Sequence, residues 1–94
     1  MMKEIDEERL EKEFHVTGTA IKSIEIIAKG EMKHKAESCM DMAERYFKDA
    51  QHFKEKGDFA SAFGALNYAH GWLDAGVRLS VFKVLKNKEY FTVD

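Results

Sequence analysis

The sequence predicts an all-α fold, an up-down-up three-helix bundle forming one domain over residues 1–94, with a short, mostly irregular C-terminal tail. Three observations predict it. The chain has no proline and few turn residues, so little interrupts long helices. Apolar residues recur at alternating steps of three and four over long stretches, which is the stripe of an amphipathic helix. Residues 59–73 carry no formally charged side chain, although charge is spread over most of the remaining chain.

The first helix is predicted over about residues 5–28. Leu10, Phe14, Thr17, Ile21, Ile24 and Ala28 form its stripe, and the acidic cluster near its start complements the helix dipole. His15-Val16-Thr17-Gly18-Thr19 is its weakest stretch, because β-branched residues and glycine propagate helix poorly; a continuous helix is still expected there. Gly30 is the expected left-handed residue closing this helix.

The second helix is predicted over about residues 32–56. Its seam is Ala36, Cys39 or Met40, Ala43, Phe47, Ala50 and Phe53 or Lys54. Glu44–Lys48 and Arg45–Asp49 lie at i, i+4 on its solvated faces and contribute only a few tenths of a kcal/mol each. Gly57 is expected to close this helix and Asp58 to cap the next.

The third helix, about residues 58–80, is expected to be the most buried. A charge-free run of about 15 residues is too short for a bilayer, which needs roughly 20. Wrapped at 100° per residue, it places Phe59, Ala62, Phe63, Leu66, Ala69, Leu73 and Val77 on one broad face. Ala65, Tyr68, Trp72, Gly76 and Leu79 widen that face. Gly64 and Gly71 lie one heptad apart, so close approach of another backbone is expected to offset their poor helix propensity. In the tail, residues 81–94, Phe82, Tyr90, Phe91 and Val93 are expected to cover an open edge of the bundle. A local hairpin within that tail would be marginal in water.

Composition sets limits on function. A net charge of −2, from 15 basic and 17 acidic residues, gives no overall attraction to nucleic acid or acidic membranes. The single Cys39 excludes an intramolecular disulfide and fits a reducing compartment. The acidic N-terminus has no apolar core of a signal peptide. A cytoplasmic location is therefore expected, with no membrane contact.

The most site-like feature is a polar strip on the third helix: Asn67, Asp74 and Arg78, with His70 at its edge and Gly71 beside it. An Asp near a His and an Arg suits acid–base work or anion binding. No nucleophile or phosphate loop accompanies it, so these five residues are read as a partner surface and no residue is assigned a catalytic role. The glycines beside the strip make a shallow groove for a helix of another protein or a second copy. His15, His34, His52 and His70 lack metal-ligand spacing, so no metal, cofactor or small-molecule ligand is expected. Tyr68, Trp72, Leu79 and the tail aromatics offer more apolar surface than two helices cover, which predicts a homodimer or a protein partner.

Two resemblances bear on function. Met42-Ala43-Glu44-Arg45-Tyr46-Phe47-Lys48-Asp49-Ala50, Gly57-Asp58-Phe59-x-x-Ala62-Phe63, Tyr68-Ala69-His70-Gly71-Trp72-Leu73-Asp74-Ala75-Gly76-Val77-Arg78-Leu79 and Tyr90-Phe91-Thr92-Val93 resemble an archaeal family, domain of unknown function 357. The resemblance covers about Leu10 onward. It implies a compact three-helix bundle of an archaeal cytosol and brings no activity or functional residues with it. At Ser80 a family glycine is expected instead, so the third helix is expected to run slightly longer here. Arg45 and His52, with six residues between them, resemble the Arg-x4–6-His pattern of HEPN-type helical ribonucleases. That pattern carries the alternative function, an RNA-processing nuclease or RNA-binding accessory domain. The primary reading is a small non-enzymatic interaction or assembly module.

Overall fold

A computed structural model of the protein describes residues 5–91, so the cover expected from Val93 lies outside the described residues. Helix α1 spans Glu7–Lys22, strand β1 Ile24–Ile26, helix α2 Glu31–Glu55, helix α3 Phe59–Arg78 and strand β2 Phe82–Val84. A single 3-10 turn, Lys88–Tyr90, follows. The three-helix bundle is present, and both connections at its far end differ from the sequence expectation.

Asp6 caps α1, its Oδ1 accepting the Arg9 N–H at 2.8 Å, and Glu7 and Glu8 lie in the first turn, where the dipole favours them. The helix runs unbroken through His15–Thr19 but ends at Lys22, six residues before the expected Ala28. Ser23 terminates it, with its N–H on the Ala20 carbonyl and its hydroxyl on the Thr19 carbonyl at 2.7 Å. Ile24, Ile26 and Ile27 then follow. Their β-branched side chains lose rotamer freedom in a helix and pack well on a strand.

The partner for that strand is the tail, which is therefore not wholly irregular. β1 and β2 pair antiparallel, with Ile24 opposite Val84, Glu25 opposite Lys83 and Ile26 opposite Phe82. The Glu25–Lys83 pair adds opposite charges across the ladder. Ile27 N–H to Val81 O at 3.0 Å and Leu85 N–H to Ser23 O at 2.8 Å extend it at both ends. A two-stranded ribbon this short is not stable alone. Here Val81 and Phe82 are buried in the bundle, with Ile24, Ile26 and Val84 packed beside them.

Gly30 does not close α1. It adopts φ 63° as the N-cap of α2, a left-handed conformation that suits glycine. Ala36, Ala43 and Ala50 on α2 are fully buried at heptad spacing, facing the alanine-rich side of α3. Small side chains at such a seam let two helices approach closely. Cys39, expected to be buried, is only half-buried.

The α2–α3 turn follows the Gly57-Asp58 reading. Gly57 has φ 79°, the Asp58 N–H reaches Phe53 O and the Gly57 N–H reaches Lys54 O, both at 2.9 Å; this is a Schellman closure. Asp58 Oδ1 accepts the Ser61 N–H at 3.1 Å. Hydrogen bonds from the Ser61 side chain and backbone hold the Asp58 carboxyl below its ordinary value of 3.8. A depressed carboxyl stabilises the fold above its unfolded pKa, and that contribution is lost as pH falls through the folded value. Asp58→Ala is expected to lower Tm near neutral pH. Thermal melts should show the gap to the parent chain closing as pH drops below 3.8.

At its other end α3 stops at Arg78 and does not run longer. The Val81 N–H bonds Gly76 O and the Ser80 N–H bonds Val77 O, both at 3.0 Å, again a Schellman closure. Ser80 occupies the left-handed position with φ 62°. A serine therefore takes the conformation that the expected family glycine would take more cheaply. Ser80→Gly should raise stability by about 1 kcal/mol in a urea titration.

The core divides along the bundle. Leu10, Ala50, Ala62, Ala65 and Leu66 form one cluster near the α2–α3 turn. Ala20, Ala36, Ala43, Leu73, Val81, Phe82 and Phe91 form the other, under the ribbon.

Candidate functional site

The five residues read as one strip serve three purposes. His70, on the flank of α3, faces the tail: its Nε2–H donates to the Tyr90 carbonyl oxygen. Asp74 Oδ2 lies 3.9 Å from the same nitrogen, and the two side chains are 19% and 25% exposed. The His70 ring also leans on Phe91, with centroids 6.0 Å apart, and His15 of α1 meets Tyr90 edge-on. His70 with Asp74 thus ties the tail to α3. With its Nε2–H committed to a backbone carbonyl, that nitrogen is a donor and not a general base. Arg78 is exposed in the last turn of α3, where a cation complements the helix C-terminus.

Asn67 and Gly71 lie on a different side. They line an open groove of about 600 Å³ with Gly64, Tyr68, Trp72 and Ala75 of α3 and Tyr46 of α2. The Tyr46 and Tyr68 rings stack, with centroids 5.2 Å apart and 18° between planes. The close approach expected at Gly64 and Gly71 is not made within the chain, since a Cβ on either glycine would meet nothing within 4 Å. That close approach belongs to Gly76, where a Cβ would lie 2.2 Å from the Phe82 ring. Tyr68 is 65% exposed and Leu79 67%, whereas the tail aromatics Phe82 and Phe91 are buried. Among the described residues the exposed large apolar side chains are Tyr68 on the outer side of α3, Leu79 at its end, and Ile27, Met32 and Leu85 in and beside the connections at the ribbon. Tyr46 and Ala75 are the groove residues that sequence reasoning missed; Tyr46's place three residues after seam residue Ala43, and Ala75's four after Gly71, were the available signals.

A second cleft, about 720 Å³, lies between α1 and α2 and is lined by Glu11, Phe14, His15, Phe47, Gln51, Lys54 and Glu55. Lys54 pairs with Glu11 and sits 5.6 Å over the Phe14 ring, so its cation is already engaged. Arg45 and His52 line none of the cavities described. Arg45 Nε is held by Asp41 at 2.8 Å, and His52 lies 4.0 Å from Glu55 in solvent. The geometry does not favour the nuclease reading. Among the described residues no three of His, Cys, Asp and Glu are grouped to hold a metal ion.

A three-helix bundle closed by a two-stranded ribbon, with an open aromatic and glycine groove on its last helix, defines a small helical domain. The sequence pattern of the family described as protein of unknown function (DUF357) matches residues 14–82, and the chain belongs to that family. No curated protein and no solved structure matches the chain. Among the described residues no helix is long and apolar enough to cross a membrane.

Proposed function

We propose that this domain is a non-enzymatic, cytoplasmic interaction module whose docking face is the groove on α3, and that it receives a helix there. One observation carries the reading: a helix without charge over residues 59–73 is covered by its own chain on one side only. The uncovered side keeps Tyr68, Gly71 and Ala75 exposed beside a stacked tyrosine pair. An apolar face of this kind beside a hollow over two glycines suits an incoming helix. The half-buried, unpaired Cys39 fits a reducing compartment.

The test is Gly71→Leu, which fills the groove from a position with free space around it. The variant should keep the helical signal and a Tm no lower than the parent's, because its side chain enters no core and leucine favours helix over glycine. Protein captured from source-cell lysate, or self-association of the purified chain, should be lost. Unchanged association in the variant would end the docking reading.

A further inference from the structure

Independently of the groove on α3, we infer that the ribbon end of the bundle is a docking surface for an anionic lipid membrane, touched at its face and not crossed. The overall charge gives no reason to expect this, but its distribution does. Residues 22–35 and 78–90 hold the ends of α1 and α3, the ribbon, the first turn of α2 and the 3-10 turn. They carry eight basic and three acidic residues, whereas the rest of the chain carries seven and fourteen. With histidine neutral, a chain of net charge −2 therefore has one end at +5 and a remainder at −7. Lys22, Lys29, Lys33, Lys86 and Lys88 are all exposed there, and among the described residues none of them makes an ion pair. Uncommitted lysines gathered at one end attract a polyanionic surface to that end.

Charge alone would serve a nucleic acid equally well; the apolar side chains decide. Alternation along the ribbon packs Ile24, Ile26, Phe82 and Val84 on the bundle and leaves Glu25, Ile27, Lys83 and Leu85 exposed. The Leu85 N–H bonds Ser23 O and the Ile27 N–H bonds Val81 O, so these two exposed aliphatics mark opposite ends of the ribbon, about 13 Å apart, with Lys83 between them. Met32 is exposed in the first turn of α2, where side chains lean toward the helix N-terminus and hence toward this end. No Phe, Tyr or Trp ring is exposed at this end among the described residues: Phe82 is buried, and Tyr90 is half-buried against His15 and His70. Bases would have nothing to stack on. Aliphatic side chains among lysines suit the boundary of a bilayer, with the amines on headgroup phosphates and the stems along the apolar layer.

The test is co-sedimentation of the full chain with sucrose-loaded vesicles at about 1 mM lipid and low salt. Each lysine beside an anionic surface contributes about fivefold to partitioning, so four of them give a coefficient on the order of 10³ M⁻¹. Vesicles of equal parts phosphatidylglycerol and phosphatidylcholine should carry down about half the protein or more, and phosphatidylcholine alone almost none. Salt at about 0.5 M should release it. The variant Lys29→Gln/Lys33→Gln/Lys83→Gln/Lys86→Gln should bind about a hundredfold more weakly or worse. Ile27→Ser/Leu85→Ser, with charge unchanged, should lose about tenfold. If thermal melts show that pair loosening the ribbon, Leu85→Ser alone should still lose about threefold at an unchanged Tm. Lys56→Gln, exposed at the opposite end, should bind like the parent. No binding to the anionic vesicles at low salt overturns the inference. Binding that ignores Ile27 and Leu85, or that falls as much in Lys56→Gln, also overturns it, since either describes general adsorption of cations. Stronger binding to a single-stranded RNA of about 20 nucleotides through the same lysines overturns it in favour of a nucleic-acid face. None of these outcomes bears on the α3 groove, which Gly71→Leu tests separately.

Discussion

Gly76→Ala is expected to destabilise the domain by about 3 kcal/mol, although Gly→Ala inside a helix usually gains up to about 1 kcal/mol. The sign is decided by Phe82. A Cβ at position 76 would sit 2.2 Å from two carbons of its ring, which is closer than any side-chain contact tolerates. The ring has nowhere to go. It is 3% exposed, and its backbone is fixed by pairing with Ile26 and by the Val81 N–H bond to Gly76 O. The added methyl therefore pushes the ribbon off the bundle. Urea titration should show the loss in midpoint, and hydrogen exchange should show the ladder amides of Ile27 and Leu85 losing protection first. In a Phe82→Leu background the same substitution should cost much less, since a smaller, branched side chain can rotate away. A gain in stability on Gly76→Ala alone would mean that Phe82 does not sit there.

What the sequence made legible is local. Gly57-Asp58 reads as a helix end and a cap, because both depend on backbone conformations of a few neighbouring residues. The alanine seam of α2 and the buried face of α3 follow from a 3.6-residue period, and both are found. The ribbon was hidden because Ile24 and Val84 come from opposite ends of the chain. Ile21, Ile24 and Ala28 fit the helical stripe equally well, so period alone could not say that α1 stops at Lys22. The close approach falls at Gly76 and not at Gly64 or Gly71 for the same reason. Phe82 reaches Gly76 only after the chain reverses at Ser80, and a serine at φ 62° gives no sequence sign of that reversal.

The candidate strip was divided by similar physics. Asn67, His70, Asp74 and Arg78 advance round α3 in small steps, so they look contiguous on a helical projection. His70 is claimed by the carbonyl of Tyr90, a backbone acceptor that every residue possesses and no motif encodes. Asn67 and Gly71 are left beside Tyr46, whose approach depends on how α2 lies along α3. The glycine spacing was readable. What stood next to it was not.

Leu66→Ala and Leu73→Ala test whether the core is divided. Both side chains are fully buried, and each truncation should cost about 2–5 kcal/mol of the ~5–15 kcal/mol available to a small domain. The two should not be equal. Leu66 shares its cluster with Leu10, Ala50, Ala62 and Ala65, all on helices, with Phe14, Phe47 and Phe63 among the rings packed against it, and neither short alanines nor stiff rings on fixed helices fill a vacated space readily. Its cavity persists, placing it near the upper end of the range. Leu73 is bordered by Val81, Phe82 and Phe91 from the ribbon and tail, which can settle inward and recover part of the loss. Seven residues apart on one helix, the two sites are about 10 Å distant, and their costs should add within about 0.5 kcal/mol. The sum approaches the whole stability, so the double variant should lack a cooperative thermal transition. If Leu73→Ala proves the costlier, or a folded double variant loses clearly less than the sum, the two clusters relax as one. The bundle would then have a single continuous core.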